Sequence, residues 1–362
     1  MIFFDNNATT PLLPEVVTAM LQELDQIPRN PSSITRYGRE GRSRISQARH
    51  QIAQKFGVLT DEIVFTSGAT ESNLMLINGF YRLNPGHVIT TQIEHSCALR
   101  PIEDLPCEKT FLHVGDLGAP TPEQVEKAIK PGTSFIFLTG ANNETGVKID
   151  LSAMCQIAKA HRIPLIIDGV VLLGRENLFP LPPEIAAISF SGHKIHGPKG
   201  SGLAIIRKQY KIPPLMKGGY QEHNMRAGTE NTPAILGLSQ AIQLIDDAQF
   251  LYMKQLRDQF ERRLKEKQIE FIINGIGDRV PNTSCLYFPD KDAELVTIKL
   301  DQAGVIASVG SACSAGTIHT SHVLRAMGYN RNRLSGSIRF SFSRLNTPEE
   351  VEKAAQILKQ CL

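Results

Sequence analysis

The chain has 362 residues, 41% of them hydrophobic, which is enough for a large buried core and for two domains. Lys and Arg number 39 against 36 Asp and Glu, so the formal net charge is only +3. Because this balance comes without a long basic run, the sequence does not predict direct binding to nucleic acid.

Three further observations bear on the compartment. No apolar stretch approaches the ~18 residues that a membrane span needs. Residues 1–5 lack the basic start and long apolar run of a signal peptide. The six cysteines form no CxxC pair, which is typical of a reducing compartment rather than of a disulfide framework. The sequence therefore predicts a cytoplasmic protein without a membrane segment.

Short β-branched runs alternate with amphipathic helical patterns between about residues 60 and 207. The runs cover residues 63–66, 87–90, 135–138 and 164–167. This alternation predicts an α/β domain whose mostly parallel sheet is covered on both faces. Ligands of such sheets bind at the carboxyl ends of the strands, so the polar loops at those ends are the candidate site.

The pattern changes after about residue 240, where helices and strands no longer alternate strictly. Helices are predicted at 252–267 and 293–302, and strands at 271–273, 284–288, 305–307 and 337–342. A last helix begins after Thr347, with Pro348 at its first position and Glu350 completing a capping box. This part of the chain is predicted to form a smaller α+β domain.

Lys194 lies in the stretch Ser189–Gly200, between the apolar runs 185–188 and 202–206. A lysine held among small residues between two core strands is natural for a Schiff-base lysine, whose amine must be partly desolvated. The alternative is a solvated loop lysine, which spacing alone favours.

Residues 65–73 predict a strand, a turn of small residues and the start of a helix. The free amides of that helix start, with the hydroxyls of Ser67 and Thr70, form a candidate anion site. A simple helix cap explains the same residues equally well.

Polar residues also follow three predicted strands. Asp168 ends the run 165–167, where a buried carboxylate needs a partner such as a protonated pyridine nitrogen or an ordinary cation. The loop 142–146 follows another strand and could equally be a turn. His95 follows the strand near residue 90 and is a candidate for proton transfer or ring stacking, or a structural histidine.

Cys313 lies among small polar residues at 309–316, where we expect an exposed, reactive thiol. Cys155 and Cys285 lie in apolar runs and are predicted to be core residues. Arg339 interrupts an alternating strand and could bind a carboxylate, or form a structural ion pair. No second cysteine or carboxylate stands at ligand spacing near His322, so no metal site is predicted.

With these residues in hand, the chain closely resembles the NifS/IscS-type cysteine desulfurases, among the class V aminotransferase-like enzymes that use pyridoxal 5'-phosphate (PLP). The resemblance covers nearly the whole chain. It rests on residues 5–11, 30–33, 66–73, 94–95, 142–146, 191–200, 226–231, 310–313 and 337–341. The implied fold is the PLP-transferase fold type I, with a large domain at 13–245 and a small domain formed by 1–12 and 246–362.

The resemblance also implies the cofactor site. Lys194 would carry PLP, Asp168 would pair with the pyridine nitrogen, and His95 would stack on the ring and transfer protons. Asn143 would contact the ring hydroxyl or the substrate. The phosphate would be held by Ala69, Thr70, Ser191 and His193, with Thr229 joining from the other subunit of a homodimer.

For catalysis, the resemblance implies that Arg339, with Asn143, binds L-cysteine and that Lys194 moves the substrate's Cα proton. The Cys313 thiolate would attack the substrate sulfur, leaving a persulfide and L-alanine. The persulfide would then pass to a sulfur-acceptor or scaffold protein for iron–sulfur cluster assembly or tRNA thiolation.

Three positions depart from the family pattern. Val171 stands where a Gln usually bonds the ring hydroxyl, Thr35 where a His is common, and Tyr220 in place of a Gly. Two alternatives stay open. One is a related PLP lyase or aminotransferase such as a selenocysteine lyase, which would not need Cys313; the other is an inactive scaffold relative, which the Val171 departure alone supports.

Overall fold

The computed structural model describes residues 1–24, 27–310 and 321–362. Its strands, in chain order, are β1 (Ile2–Phe3), β2 (Ile63–Thr66), β3 (His87–Thr91), β4 (Lys109–Leu112), β5 (Thr133–Thr139), β6 (Leu165–Asp168), β7 (Ile185–Ser191), β8 (Gly202–Ile206), β9 (Ile272–Ile273), β10 (Thr283–Tyr287), β11 (Val305–Ile306) and β12 (Ser337–Ser341).

The helices are α1 (Pro14–Leu24), α2 (Arg36–Phe56), α3 (Ala69–Leu83), α4 (Ser96–Asp104), α5 (Pro122–Ala128), α6 (Leu151–His161), α7 (Thr232–Gln243), α8 (Ala248–Glu266), α9 (Ala293–Gln302), α10 (His322–Ala326), α11 (Arg331–Ser335) and α12 (Pro348–Cys361). The predicted capping box at the start of α12 is confirmed, because the Thr347 hydroxyl accepts from the Glu350 amide.

The central sheet has the strand order β2-β8-β7-β6-β5-β3-β4. Within the described residues, β8 is antiparallel to both neighbours and the other pairings are parallel. The predicted mostly parallel sheet is therefore confirmed. Because β3, β5, β6 and β7 run the same way, the loops that follow them meet at one edge of the sheet.

Hydrophobic side chains cover both faces of this sheet. Successive strand residues alternate between faces, so Ile136 packs in one cluster and Phe137 in the other. Phe56 of α2 and Leu238 of α7 belong to the first cluster, and Phe80 of α3 to the second. These helices fix the sheet in place beneath the loops at its carboxyl edge.

A separate, third hydrophobic cluster lies around the antiparallel sheet β12-β10-β9 and helices α8, α9 and α12. Phe4 joins this cluster, and β1 pairs with β11, so the N-terminal segment packs against the C-terminal third of the chain. From these separate clusters we propose a large domain at 13–245 and a small domain at 1–12 with 246–362.

Across the part of the chain that the structure describes, no helix combines the length and apolar character needed to cross a membrane.

Candidate active site

A cavity of about 490 Å³ lies at the carboxyl edge of the central sheet. The sequence-predicted residues that line it are Ala69, Thr70, His95, Asn143, Asp168, Ser191, His193, Lys194 and Arg339. They come from the ends of β3, β5, β6 and β7, the start of α3 and the middle of β12. The fold thus brings together candidates that are up to 270 residues apart in sequence.

Lys194 ends a short 3₁₀ turn, Gly192–Lys194, directly after β7. Its amine donates hydrogen bonds to the backbone carbonyls of Asn7 and Ala8, the latter at 2.9 Å. The side chain is half-buried. The amine of Lys194 is therefore held inside the pocket by the N-terminal segment rather than pointing to bulk solvent.

Asp168 is the last residue of β6 and is 5% exposed. Its Oδ2 accepts from the Asn73 amide at 2.8 Å, and its Oδ1 accepts from the Val170 backbone N–H at 3.1 Å. The Ser189 hydroxyl donates in turn to the Asn73 oxygen, which fixes the orientation of that amide. The carboxylate is thus aimed by a buried chain of hydrogen bonds running from β7 through α3.

The start of α3 forms one wall of the pocket. Gly68 precedes the helix with φ +154°, a backbone conformation that side chains rarely adopt, and no side chain caps the helix. The first amides of α3 are consequently available to an anion, together with the positive end of the helix dipole. Arg226 binds Glu71 of the first turn at 2.8 Å and ties this wall to the loop before α7.

His193, on the opposite side of the pocket, hydrogen-bonds through Nδ1 to the Thr9 hydroxyl at 3.2 Å. Burial lowers its pKa to about 4, with smaller contributions from the positive charges of Lys194 and Lys199. The ring is therefore neutral near pH 7, and it can offer a hydrogen bond to an anion without carrying a charge of its own.

His95 caps α4, and its Nδ1 accepts from the Cys97 backbone N–H at 3.2 Å. Since Nδ1 acts as an acceptor, the neutral ring carries its proton on Nε2. Burial lowers the pKa of His95, and the charges of Lys194 and His322 lower it further, whereas Asp168 opposes the shift. The pocket therefore contains a neutral imidazole of defined tautomer.

Arg339 is 2% exposed at the pocket wall. Its Nη2 pairs with Asp5 at 2.6 Å and its Nη1 donates to the Asn143 carbonyl at 3.0 Å. Its buried Nε finds no acceptor among the described residues. The two terminal nitrogens are thus held by Asn143 and Asp5, which fix the plane of the guanidinium at the pocket wall.

Cys313 lies outside the described residues, but the residues on either side of segment 311–320 are described. Ser321 donates a hydrogen bond to Oε2 of buried Glu144, and Gly310 lies beside the same carboxylate. His322 contacts the Glu94 carbonyl at 3.0 Å. Because Glu144 follows Asn143 and Glu94 precedes His95, the flanking residues Gly310, Ser321 and His322 contact neighbours of residues that line the pocket.

Thr229 does not line this pocket within one chain. It borders a separate groove of about 170 Å³ with Ser67, Gly200 and Arg226, on the outer side of the α3 wall. Its predicted contact with the phosphate of another subunit stays a prediction.

The sequence did not assign three residues that the structure places at the site. Asn73 orients Asp168, Asp5 pairs with Arg339, and Cys97 lines the pocket. Burial, reinforced by the negative charge of Asp168, raises the pKa of Cys97 to about 12, so this thiol is a poor nucleophile. For Asn73, the signal available in the sequence was the polar pair Ser72 and Asn73 in an otherwise apolar helix face.

The comparisons with known proteins agree with this geometry. A model of the family "Aminotransferase class-V" matches residues 2–354. The chain belongs to this family.

Individual relatives and solved structures extend along the full chain. A cysteine desulfurase IscS from Dictyoglomus turgidum is 38% identical, with 100% of this chain and 94% of the relative covered. A solved NifS-like protein superposes with a TM-score of 0.91 at 30% identity, covering 99% of this chain and 98% of that one. A structure described as SspA in complex with cysteine superposes with a TM-score of 0.84 at 31% identity, covering 96% and 100%.

These class V enzymes depend on PLP, and the residues present fit that group. The pocket offers Lys194 for its aldehyde, the oriented carboxylate of Asp168 for a ring nitrogen, and the start of α3 for a phosphate. Buried Val171 lines the same pocket, so the departure noted in the sequence lies at the cofactor site. The described residues contain no group of three or more His, Cys, Asp or Glu side chains arranged to bind a metal.

Proposed function

We propose that this chain is a PLP-dependent cysteine desulfurase that converts L-cysteine to L-alanine and retains the sulfur on Cys313. The observation that carries this proposal is the convergence of Lys194, Asp168 and Arg339 in one pocket. The full-length similarity to proteins named cysteine desulfurases supports the choice of substrate.

When bound, PLP supplies an electron sink that makes the substrate's Cα proton acidic. Lys194 would carry the group, and Asp168 would pair with the pyridine nitrogen. The phosphate would lie at the uncapped amides of Ala69 and Thr70, with Ser191 and His193 as further donors. We propose that Thr229 completes this phosphate site from the other subunit of a homodimer.

Arg339 would bind the substrate carboxylate, since it is a cation that lines the pocket. Asn143 lies beside it, and its carbonyl accepts from both Arg339 and Asn7 at 3.0 Å. This shared acceptor fixes the guanidinium relative to the N-terminal segment that also holds Lys194. The substrate would therefore enter with its Cα close to the lysine amine.

Lys194 would remove the proton from Cα and return it later, since its amine lies among the groups that line the pocket. His95 is suited to a second proton transfer, because its neutral ring has a proton on Nε2. Protonation of the substrate Cβ, once sulfur has left, completes alanine.

Cys313 would take the sulfur as a persulfide. Its thiolate attacks the sulfur of the substrate, so that an S–S bond forms while the Cβ–S bond breaks. The overall change, cysteine and a Cys313 thiol to alanine and a Cys313 persulfide, is balanced without an external oxidant. What supports this role is that Gly310 and Ser321, which flank segment 311–320, both lie beside Glu144, the residue after Asn143 of the pocket.

The homodimer and the acceptor protein are parts of the same proposal. Ile34 and Tyr220 are 88% and 89% exposed, and a hydrogen bond between Ser32 and Gln221 joins the two segments that carry them. This apolar surface supports association of two copies. Delivery of sulfur to iron–sulfur clusters or to tRNA, and the cytoplasmic location, stay predictions.

The direct test is chemical trapping of the cofactor. Borohydride reduction of the yellow protein, followed by peptide mass spectrometry, is expected to place the pyridoxyl group on Lys194. Lys194→Ala should remain unlabelled, whereas Lys211→Ala, which removes an exposed lysine, should label like the wild type. A colourless protein, or a label elsewhere, would contradict the proposal.

A further inference from the structure

Within the described residues, Arg175 is a buried cation without a carboxylate partner. It is 5% exposed, and its hydrogen bonds go to three neutral acceptors, the Leu173 carbonyl, the Asn7 side-chain oxygen and the Lys194 carbonyl, each at 3.4 Å. Its Nε has no acceptor among the described residues. Three long contacts to neutral atoms offset little of the cost of burying a guanidinium.

Arg175 does not avoid the cost of burial by losing its proton. Burial and the neighbouring charge of Arg339 lower the pKa of Arg175 to about 10, which still leaves the guanidinium protonated at neutral pH. A buried, permanently charged group calls for an anion nearby.

A cavity of about 20 Å³ lies against Arg175. Arg344 and Lys194 also line it, and no Asp or Glu is among its lining residues within the described chain. Arg344 donates to the Leu244 carbonyl at 2.7 Å and to the Gln249 side-chain oxygen at 3.1 Å, which are again neutral acceptors. Two guanidinium groups, of Arg175 and Arg344, therefore border a space about the size of one water molecule, whereas the Lys194 amine is bonded to the Asn7 and Ala8 carbonyls.

We propose that this cavity binds one monatomic anion, a halide such as chloride, as the counterion of Arg175. The volume excludes polyatomic anions such as sulfate and phosphate. The site lies behind Lys194, on the side away from the substrate pocket, and it is independent of the proposed function. A bound halide would offset the positive charge that Arg175 places next to the backbone of Lys194.

Diffraction with bromide tests the site directly. Crystals of the protein with its bound cofactor are grown in sodium bromide, and data are collected at the bromine absorption edge. We expect an anomalous peak inside the cavity, in contact with Arg175. Density without an anomalous signal at that position would mean a water molecule and would overturn the proposal. Bromide peaks elsewhere, on the protein surface, would not change that conclusion.

Thermal unfolding gives a second readout in solution. The same protein is unfolded in increasing chloride, with gluconate holding the ionic strength constant, and Arg175→Met is compared with the surface variant Arg36→Met. The wild type and Arg36→Met should show a saturating rise in Tm of about 2 °C or more, which Arg175→Met should lack. Parallel curves for all three proteins would contradict a site at Arg175. If Arg175→Met does not fold, the bromide experiment on the wild type still decides.

Discussion

Glu94 offers the most quantitative test of the pocket's electrostatics. Its side chain is fully buried and accepts a hydrogen bond from the Thr91 hydroxyl at 2.6 Å. Burial raises its pKa from 4.5 to about 8, with a smaller contribution from the negative charge of Asp168. At neutral pH this carboxyl group is therefore protonated in the folded protein but ionised in the unfolded chain.

The sign and size of the effect follow from proton linkage. Between pH 4.5 and about 8 the folded state binds one more proton at Glu94 than the unfolded state does, so stability falls as the pH rises. At about 1.4 kcal/mol per pH unit, the loss across that window is about 5 kcal/mol. Below pH 4.5 the group is protonated in both states and contributes no pH dependence.

Glu94→Gln removes this titration while keeping the shape of the side chain. We expect the variant to gain stability relative to the wild type as the pH rises, by about 5 kcal/mol between pH 4.5 and 8. Urea unfolding followed by circular dichroism at several pH values measures the difference, since the chain has no Trp. Glu103→Gln, on the surface, is the matched control. A constant offset between Glu94→Gln and the wild type at all pH values would refute the reasoning.

Three further variants test single contacts. Asp5→Asn keeps a hydrogen-bond acceptor for Arg339 but removes the negative charge of Asp5, so KM for L-cysteine should fall about fivefold. Asp5→Ala also removes the acceptor and should raise KM. Equal KM values in the wild type and both variants would exclude a link between this pair and the substrate. Asn73→Ala removes a hydrogen bond to the Asp168 carboxylate and should weaken PLP binding about tenfold in equilibrium dialysis, an outcome that unchanged retention would contradict. In Val171→Gln, the pH midpoint of the change in the cofactor's visible spectrum should fall by about one pH unit, because a new hydrogen-bond donor near the ring hydroxyl favours the ionised form of that hydroxyl. An unshifted midpoint would mean that the Gln amide does not reach the ring.

Local patterns in the sequence predicted most of the secondary structure. The β-branched run at 63–66 and the apolar run at 202–206 are strands with those limits, and the helix at 293–302 is also confirmed. The prediction was short for β7, which continues through Ser189 to Ser191. Those polar residues pair with β8, and such ladder hydrogen bonds do not depend on hydrophobicity.

The site was predicted where each residue ends a recognisable strand, as Asp168 does. Contacts between distant segments left no comparable signal. Asp5 and Arg339 are 334 residues apart, and Asn73 is 95 residues from Asp168. Their partnerships depend on how the N-terminal segment and α3 pack on the sheet edge, which periodicity along the chain does not encode.

The strand order of the central sheet could not be predicted from the sequence either. Strands β7 and β8 are neighbours in sequence, but the position of β8 beside β2 depends on pairing between segments more than a hundred residues apart. Cavities such as the one beside Arg175 follow only from the packed structure, because charge composition does not reveal which cation lacks an anion.

The central claim is that Cys313 takes sulfur from L-cysteine, and alanine production tests it most directly. Wild type, Cys313→Ala and the control Cys107→Ser are incubated with L-cysteine and a thiol reductant, and alanine and sulfide are quantified together. We expect the wild type and Cys107→Ser to release both products in equal amounts, and Cys313→Ala to lose about a hundredfold or more in rate while keeping its yellow colour. Alanine formation at the wild-type rate by Cys313→Ala would contradict the claim and identify a PLP lyase that needs no persulfide.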